Sequence, residues 1–315
     1  MFKTFNKNRT ITGIVLALIS IFFWGITFVC TKYLLRTFSS LEVLIFRFFL
    51  AYCILWCIYP HPYPSQKKKH EFLFAFAGLF GVTVYQFMEN IAIEYTSASN
   101  VSIIVSICPI FTAVIAQIFL HEKHLSFKFF AGFALAIWGI AMVSFNGKIT
   151  SGLNPKGDVL ALIASVSWGF YSLFMSKINE LGYSSVPATR KIFFYALLFM
   201  LPIASARVIG IGTASMDVSL SLKMNALRFS DPLNWFGLLF LGILASGFCF
   251  VAWSIACRFL GTVRTTVGLY LIPVVTITVA FFALHEPITV MGSIGAALTI
   301  TGLFVSEWKA KTKSS

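Results

Sequence analysis

Tyr85, Gln86, Glu89 and Asn90 bring polar and ionisable chemistry into a long apolar run. An acid in such a run is costly to bury, and by default it marks a substrate, ion or proton site. Tyr85 and Gln86 lie four and three residues before Glu89, so on a helix all three share one face. That face could bind an ammonium group or carry an exchangeable proton. Arg47 and Arg190 stand near the starts of two other apolar runs and could receive a carboxylate. More often such an arginine snorkels or ties helix ends together, and that structural role is preferred for both. Arg264 opens a further run, where a plain topological role is preferred.

The remaining motifs argue against an enzyme. His121-Glu122-Lys123-His124 has the wrong spacing for a helical zinc site. No metal and no cofactor are expected. Cys53 and Cys57 are four apart but have no histidine or acid beside them. All six cysteines fall inside apolar runs and read as small buried hydrophobes rather than as a disulfide framework. No Walker sequence is present, which excludes ATP-driven pumping within the chain. The leading reading is a carrier. An integral-membrane enzyme and a non-transporting membrane scaffold are the alternatives.

Composition sets the solvent. The chain is 58% hydrophobic and 11% charged, where a soluble domain carries about 25% charge. The net charge of +13 does not indicate nucleic acid, because Lys and Arg cluster between apolar runs. The expected partners are the lipid bilayer, a small-molecule substrate and protons, with a homodimer left open.

Ten apolar runs of near-spanning length are expected as helices, close to 11–31, 41–60, 71–93, 97–119, 127–146, 157–178, 186–206, 233–256, 262–284 and 288–308. The first follows basic residues, as a signal peptide would. It lacks a cleavage site and has an internal copy, so it is read as the first helix. That copy is explicit: Gly13-Ile-Val-Leu-Ala-Leu-Ile19 with Trp24-Gly25 recurs as Gly157-Asp-Val-Leu-Ala-Leu-Ile163 with Trp168-Gly169, 144 residues on. Pro109, Thr112 and His121-Glu122 recur as Pro273, Thr276 and His285-Glu286, 164 residues on. The difference places 20 inserted residues in the second half, within 207–231. Two repeats follow, 1–150 and 151–315. The connection 207–232 is expected as a surface segment rather than a lid.

Each repeat holds five spans, an odd number, so the two must lie inverted in the membrane, a plan common among secondary transporters. With the N-terminus inside, the inner segments hold 16 Lys and Arg and the outer ones 7. Both termini are therefore expected in the cytoplasm, and the membrane is expected to be the bacterial inner membrane. The third helix starts near Glu71, so Glu89, 18 residues on, lies roughly 27 Å along a core about 30 Å thick. That depth is shallow and would let Glu89 snorkel outward or pair with Lys32 or Arg36. Against this, its polar face would be expensive toward lipid and is expected to line the outer part of a central pathway.

These features resemble the drug/metabolite transporter superfamily in its ten-helix EamA-type branch. The resemblance rests on the paired halves, Trp24-Gly25 echoed by Ser167-Trp168-Gly169, Phe46-Arg47-Phe48, the Ala92-to-Asn100 joint, and the run from Pro109 to Leu120-His121-Glu122. It implies alternating access without naming a substrate; amino-acid-like and drug-like metabolites both fit. It also implies a cavity lined by the third, fourth, eighth and ninth helices, with the first, second, sixth and seventh flanking and the fifth and tenth peripheral. On those helices, Asn100, Ser102 and Thr266 become hydrogen-bonding candidates. Trp24, Trp168, Tyr171, Trp253 and Tyr270 could all be aromatic walls; Trp168, Trp253 and Tyr270 are chosen. Pro109 and Pro273 should kink their helices for gating. Glu94 is expected at the interface, and the two His-Glu pairs as hydrogen-bonding helix ends.

Overall fold

The computed structural model describes residues 7–121, 127–145, 155–208 and 226–307. Among these residues the chain is helical, without strands. We number ten helices: α1 Lys7–Leu34, α2 Ser40–Ile58, α3 Lys68–Tyr95, α4 Ala98–Leu120, α5 Phe127–Phe145, α6 Pro155–Glu180, α7 Ser185–Val208, α8 Pro232–Leu260, α9 Thr262–Leu284 and α10 Val290–Glu307. Eight of them are long and apolar enough to cross a membrane. The other two, α5 and α10, hold shorter apolar segments, Phe130–Gly139 and Val290–Gly302.

Local chemistry sets several starts. α2 opens on a capping box, in which Ser39 and Glu42 satisfy each other's backbone N–H groups. Ser97 caps α4 by accepting from Asn100 N at 3.0 Å. Asp231 caps α8, and Pro232 in its first turn gives up an N–H that the helix would not use.

The two repeats interlock. α1 packs on α8 and α9 as α6 packs on α3 and α4. Glycines make these approaches possible. A Cβ on Gly25 would lie 2.5 Å from Val275, and one on Gly169 would lie 2.8 Å from Ile115. Helices α5 and α10 pair outside this core. A Cβ on Gly139 would sit 2.5 Å from the Gly295 carbonyl, and one on Gly302 would sit 2.5 Å from Ala136 N.

Both α3 and α8 are wound as π-helix midway, at Leu79–Val84 and Phe240–Phe248. Such segments shift the backbone register and free carbonyls for side-chain partners. The prolines require a correction. Pro109 and Pro273 do not kink a continuous helix. Ser106 and Ile107 form a turn, and Pro109 falls in the first turn of the helical piece Cys108–Leu120. In α9, Val267–Leu271 is 3-10, and Pro273 opens the piece Ile272–Leu284. The missing N–H then costs nothing, because first-turn donors have no intrahelical acceptor.

Of the connection 207–232, residues 209–225 lie outside the described ones. Its end is more than a bland surface segment. Ala226–Ser230 packs over the start of α2, where Arg228 pairs with Glu42 at 2.8 Å and sits over the Phe38 ring.

Candidate functional site

A cavity in the centre of the bundle is lined by Trp24, Thr27 and Phe28 of α1, Arg47 of α2, and Tyr85, Gln86 and Glu89 of α3. Ser102, Val105, Ser106 and Cys108 of α4, Trp168 of α6, and Leu269 and Ile272 of α9 complete it. The helix break at Ser106–Ile107 lies in this wall.

Arg47 is 1% exposed. Its Nε donates to Ser246 Oγ at 2.5 Å and its Nη1 to Gln86 Oε1 at 2.6 Å. Ser246 belongs to the π-helical part of α8, so a residue of the second repeat orients a cation of the first. Glu89 is 3% exposed, and the Tyr85 hydroxyl faces its carboxyl. Among the described residues Arg47 and Glu89 form no ion pair, although they share one cavity. Lys32, which could have neutralised Glu89, instead donates to the carbonyls of Ile93 and Thr96 at 2.5 and 2.7 Å.

Part of the lining is aromatic. Trp24 and Trp168 meet edge to face at 5.5 Å, and Tyr85 lies 4.9 Å from Trp168. Trp24 Nε1 donates to Ala245 O, a carbonyl of the π-helical stretch, at 2.9 Å. Trp168 is buried, and its Nε1–H has no acceptor among the described residues. The space holds only about one or two waters, so any metabolite requires it to widen.

Sequence-chosen residues divide. Tyr85, Gln86, Glu89, Ser102, Trp168 and Arg47 meet at the cavity. Arg47 therefore belongs to the wall and does not merely tie helix ends. Five others do not line it. Asn90, one residue round the helix from Glu89, turns to α2 and donates to Ser40 O at 3.2 Å. Asn100 donates to Asp158 and to Thr96. Trp253 stands behind Trp24, with centroids 5.0 Å apart. Thr266 bonds back to Val263 O. Tyr270 packs with Ile107, Ile110, Ala113 and Ala136, against Phe304 of α10.

Arg190 donates to the carbonyls of Tyr59 and His61 and covers Trp56, a tie between helix ends. Arg264 is exposed. The helix assignment also needs correction: α1, α2 and α6 contribute lining, whereas α8 lends only hydrogen-bonding partners. Thr27 and Phe28 escaped sequence reading; their one signal is that they follow the repeated Trp24-Gly25 pair.

His121 and His285 end α4 and α9 in the left-handed conformation, with φ of 55° and 54°. Glu286 then reaches α4, accepting from Ala98 N at 2.9 Å, Ser99 N at 3.2 Å and Ser99 Oγ at 2.5 Å. Glu122, Lys123 and His124 lie outside the described residues. Glu94 accepts from Ser40 Oγ at 2.6 Å.

Known proteins now bear on this geometry. A solved structure aligns with a TM-score of 0.63 at 16% identity, over 93% of this chain and 95% of the other, which is a likeness of fold. An "Uncharacterized transporter" of Archaeoglobus fulgidus is 27% identical, over 93% of this chain and 97% of its own. A "Probable amino-acid metabolite efflux pump" of Escherichia coli is 26% identical, over 95% and 97%. A "Probable terminal-alkyne amino-acid exporter" of Streptantibioticus cattleyicolor is 29% identical, over 74% and 72%. The EamA-like transporter family model matches twice, at residues 11–145 and 155–308. An apolar ten-helix bundle with a central cavity and two matched halves is thus an integral membrane transporter, and the chain belongs to the EamA-like transporter family.

Proposed function

We propose that this transporter is a secondary active carrier for a small zwitterionic, amino-acid-like metabolite with an apolar side chain. The observation that carries the reading is the placement of Arg47 and Glu89 in one cavity without a bond between them. A substrate carboxylate would meet the guanidinium, where charge-assisted hydrogen bonds are strong. Its ammonium group would meet the Glu89 carboxylate. The apolar side chain would lie against Trp24, Phe28 and Trp168, and the unpartnered Trp168 Nε1–H is a further donor. Two of the relatives carry names that concern amino acids, which supports the same substrate class.

Transport proceeds by alternating access between the repeats 1–150 and 151–315, driven by proton coupling or by exchange. Glu89 is the group that would carry the proton. The positive-inside count supports cytoplasmic termini, in the inner membrane of a bacterium. Flux in proteoliposomes tests the substrate class. Amino acids with free carboxyl and amino groups should be carried, and their methyl esters and N-acetyl forms should not. Equal flux for all three forms would overturn the zwitterion reading.

A further inference from the structure

The turn between α3 and α4 is held from three sides. Lys32 of α1 donates to Ile93 O and Thr96 O. Asp158 of α6 accepts from Asn100 Nδ2 at 3.0 Å. Glu286, just past α9, takes Ala98 N, Ser99 N and Ser99 Oγ. Gly157 also abuts the turn; a Cβ there would lie 3.1 Å from Tyr95.

Glu286 differs from the other two in taking backbone N–H groups of the first turn of α4. It joins the far end of α9 to that turn, and both helices line the cavity, through Leu269 and Ile272 and through Ser102 to Cys108. A carboxylate on a helix N-terminus gains from the helix dipole as well as from its hydrogen bonds. α4 already has its own cap in Ser97, so its formation does not require Glu286. The left-handed His285 ends α9 where the chain turns to bring Glu286 to the α4 start.

We propose that Glu286 is the latch that shuts the cavity at the α3–α4 end: bonded to α4 it holds the two repeats together there, and its release opens that mouth. This rests on the alternating-access reading above. When α9 moves away from α4 the carboxylate returns to water, and the four-residue start Ser97–Asn100 keeps its local cap and the bond from Asn100 to Asp158. The latch thereby couples a rigid-body movement of one repeat to solvent access at the cavity, and no residue that touches substrate need change.

Cys108 supplies the readout, since it lines the cavity. In a variant retaining Cys108 alone, with Cys30, Cys53, Cys57, Cys249 and Cys257 replaced by alanine, labelling is followed with a membrane-impermeant thiol reagent in oriented vesicles. Glu286→Ala should raise the labelling rate from the α3–α4 face roughly tenfold, as expected for loss of its three charge-assisted hydrogen bonds. Ser99→Ala, which removes only the hydroxyl bond, should act in the same direction and less. Ser97→Ala weakens the helix but leaves the latch, and should leave the rate unchanged. Unchanged labelling in both Glu286→Ala and Ser99→Ala, with Cys108 reachable in the parent, overturns the latch alone. An equal rise in Ser97→Ala assigns the effect to helix fraying and also overturns it. If Cys108 is closed to the reagent from both faces in every variant, the alternating-access reading falls as well.

Discussion

The polar stretch of α3 and its counterpart in α8 occupy the same place in the two repeats and do opposite things. Their π-helical segments end at Val84 and Phe248, 164 residues apart. At that offset Tyr85, Gln86 and Glu89 correspond to Cys249, Phe250 and Trp253. All six are buried. One repeat therefore spends these positions on hydrogen-bonding and charged groups, and the other fills them with a thiol and two aromatic rings. The duplicated scaffold supplies matched backbone irregularities, while the chemistry is concentrated on one wall. The apolar half still contributes, because Ser246 and the Ala245 carbonyl of its π-helical stretch fix Arg47 and Trp24. On the proposed function, duplication of a half would separate two tasks: symmetric motion, and asymmetric recognition.

The largest effect should come from Arg47→Ala. It removes the cavity's cation and leaves Gln86 and Ser246 without their buried partner, which costs about 1–3 kcal/mol per orphaned group. Substrate flux should fall at least about tenfold, and Arg47→Lys should not restore it, since an ammonium lacks the planar fork. Flux and membrane abundance measured together check this. Glu89→Gln comes next. It keeps the hydrogen-bonding shape and removes the charge and the exchangeable proton, so it should weaken apparent substrate affinity several-fold and flatten the pH dependence of flux. Glu94→Gln should change neither, because Glu94 meets Ser40 away from the cavity. Kinetics from about pH 5.5 to 8 that match the parent in Glu89→Gln would erase the contrast between the two stretches.

Pro109→Ala and Pro273→Ala probe what the repeats share. Both prolines open the second piece of a broken helix, so alanine should allow the helix to continue through the break. Flux should drop by a similar factor, about two- to fivefold, with protein still in the membrane. Unchanged flux in both would make the breaks static packing features. The smallest effects concern the π-helical stretches themselves. Gly81→Ala would put a Cβ 2.1 Å from the Tyr171 ring and should cost about 1–3 kcal/mol. Gly247→Ala meets nothing closer than 3.3 Å and should stay within about 0.5 kcal/mol. Thermal unfolding in detergent distinguishes them, and equal melting would show that the first repeat's close approach is looser than its geometry implies.

Much of the fold is legible in the chain because its signals are local or periodic. Apolar length marks the spans, and the repeated Pro-Thr-His-Glu register marks the duplication. Glu89 stands out for the same reason, as an acid in an apolar run. The site is only partly legible. Asn90 and Glu89 are adjacent in sequence yet face different helices, and Arg47 and Arg190 look alike in sequence yet end in a cavity and at a pair of loop carbonyls. Periodicity cannot separate such cases when a helix is apolar nearly all round, because no solvated face fixes its rotation.

By itself, then, the sequence determined an all-helical membrane chain of two related halves, each with an odd number of helices, and so their inversion. Burial in lipid forces these features, since every backbone group must be satisfied within a helix and length must match the bilayer. Only the tertiary structure decided which residues meet. The rotation of each helix depends on glycine contacts such as Gly25 on Val275 and Gly169 on Ile115, and on π-helical and 3-10 stretches that shift register. Those are contacts between segments far apart in the chain, and their energies exist only once both partners are in place.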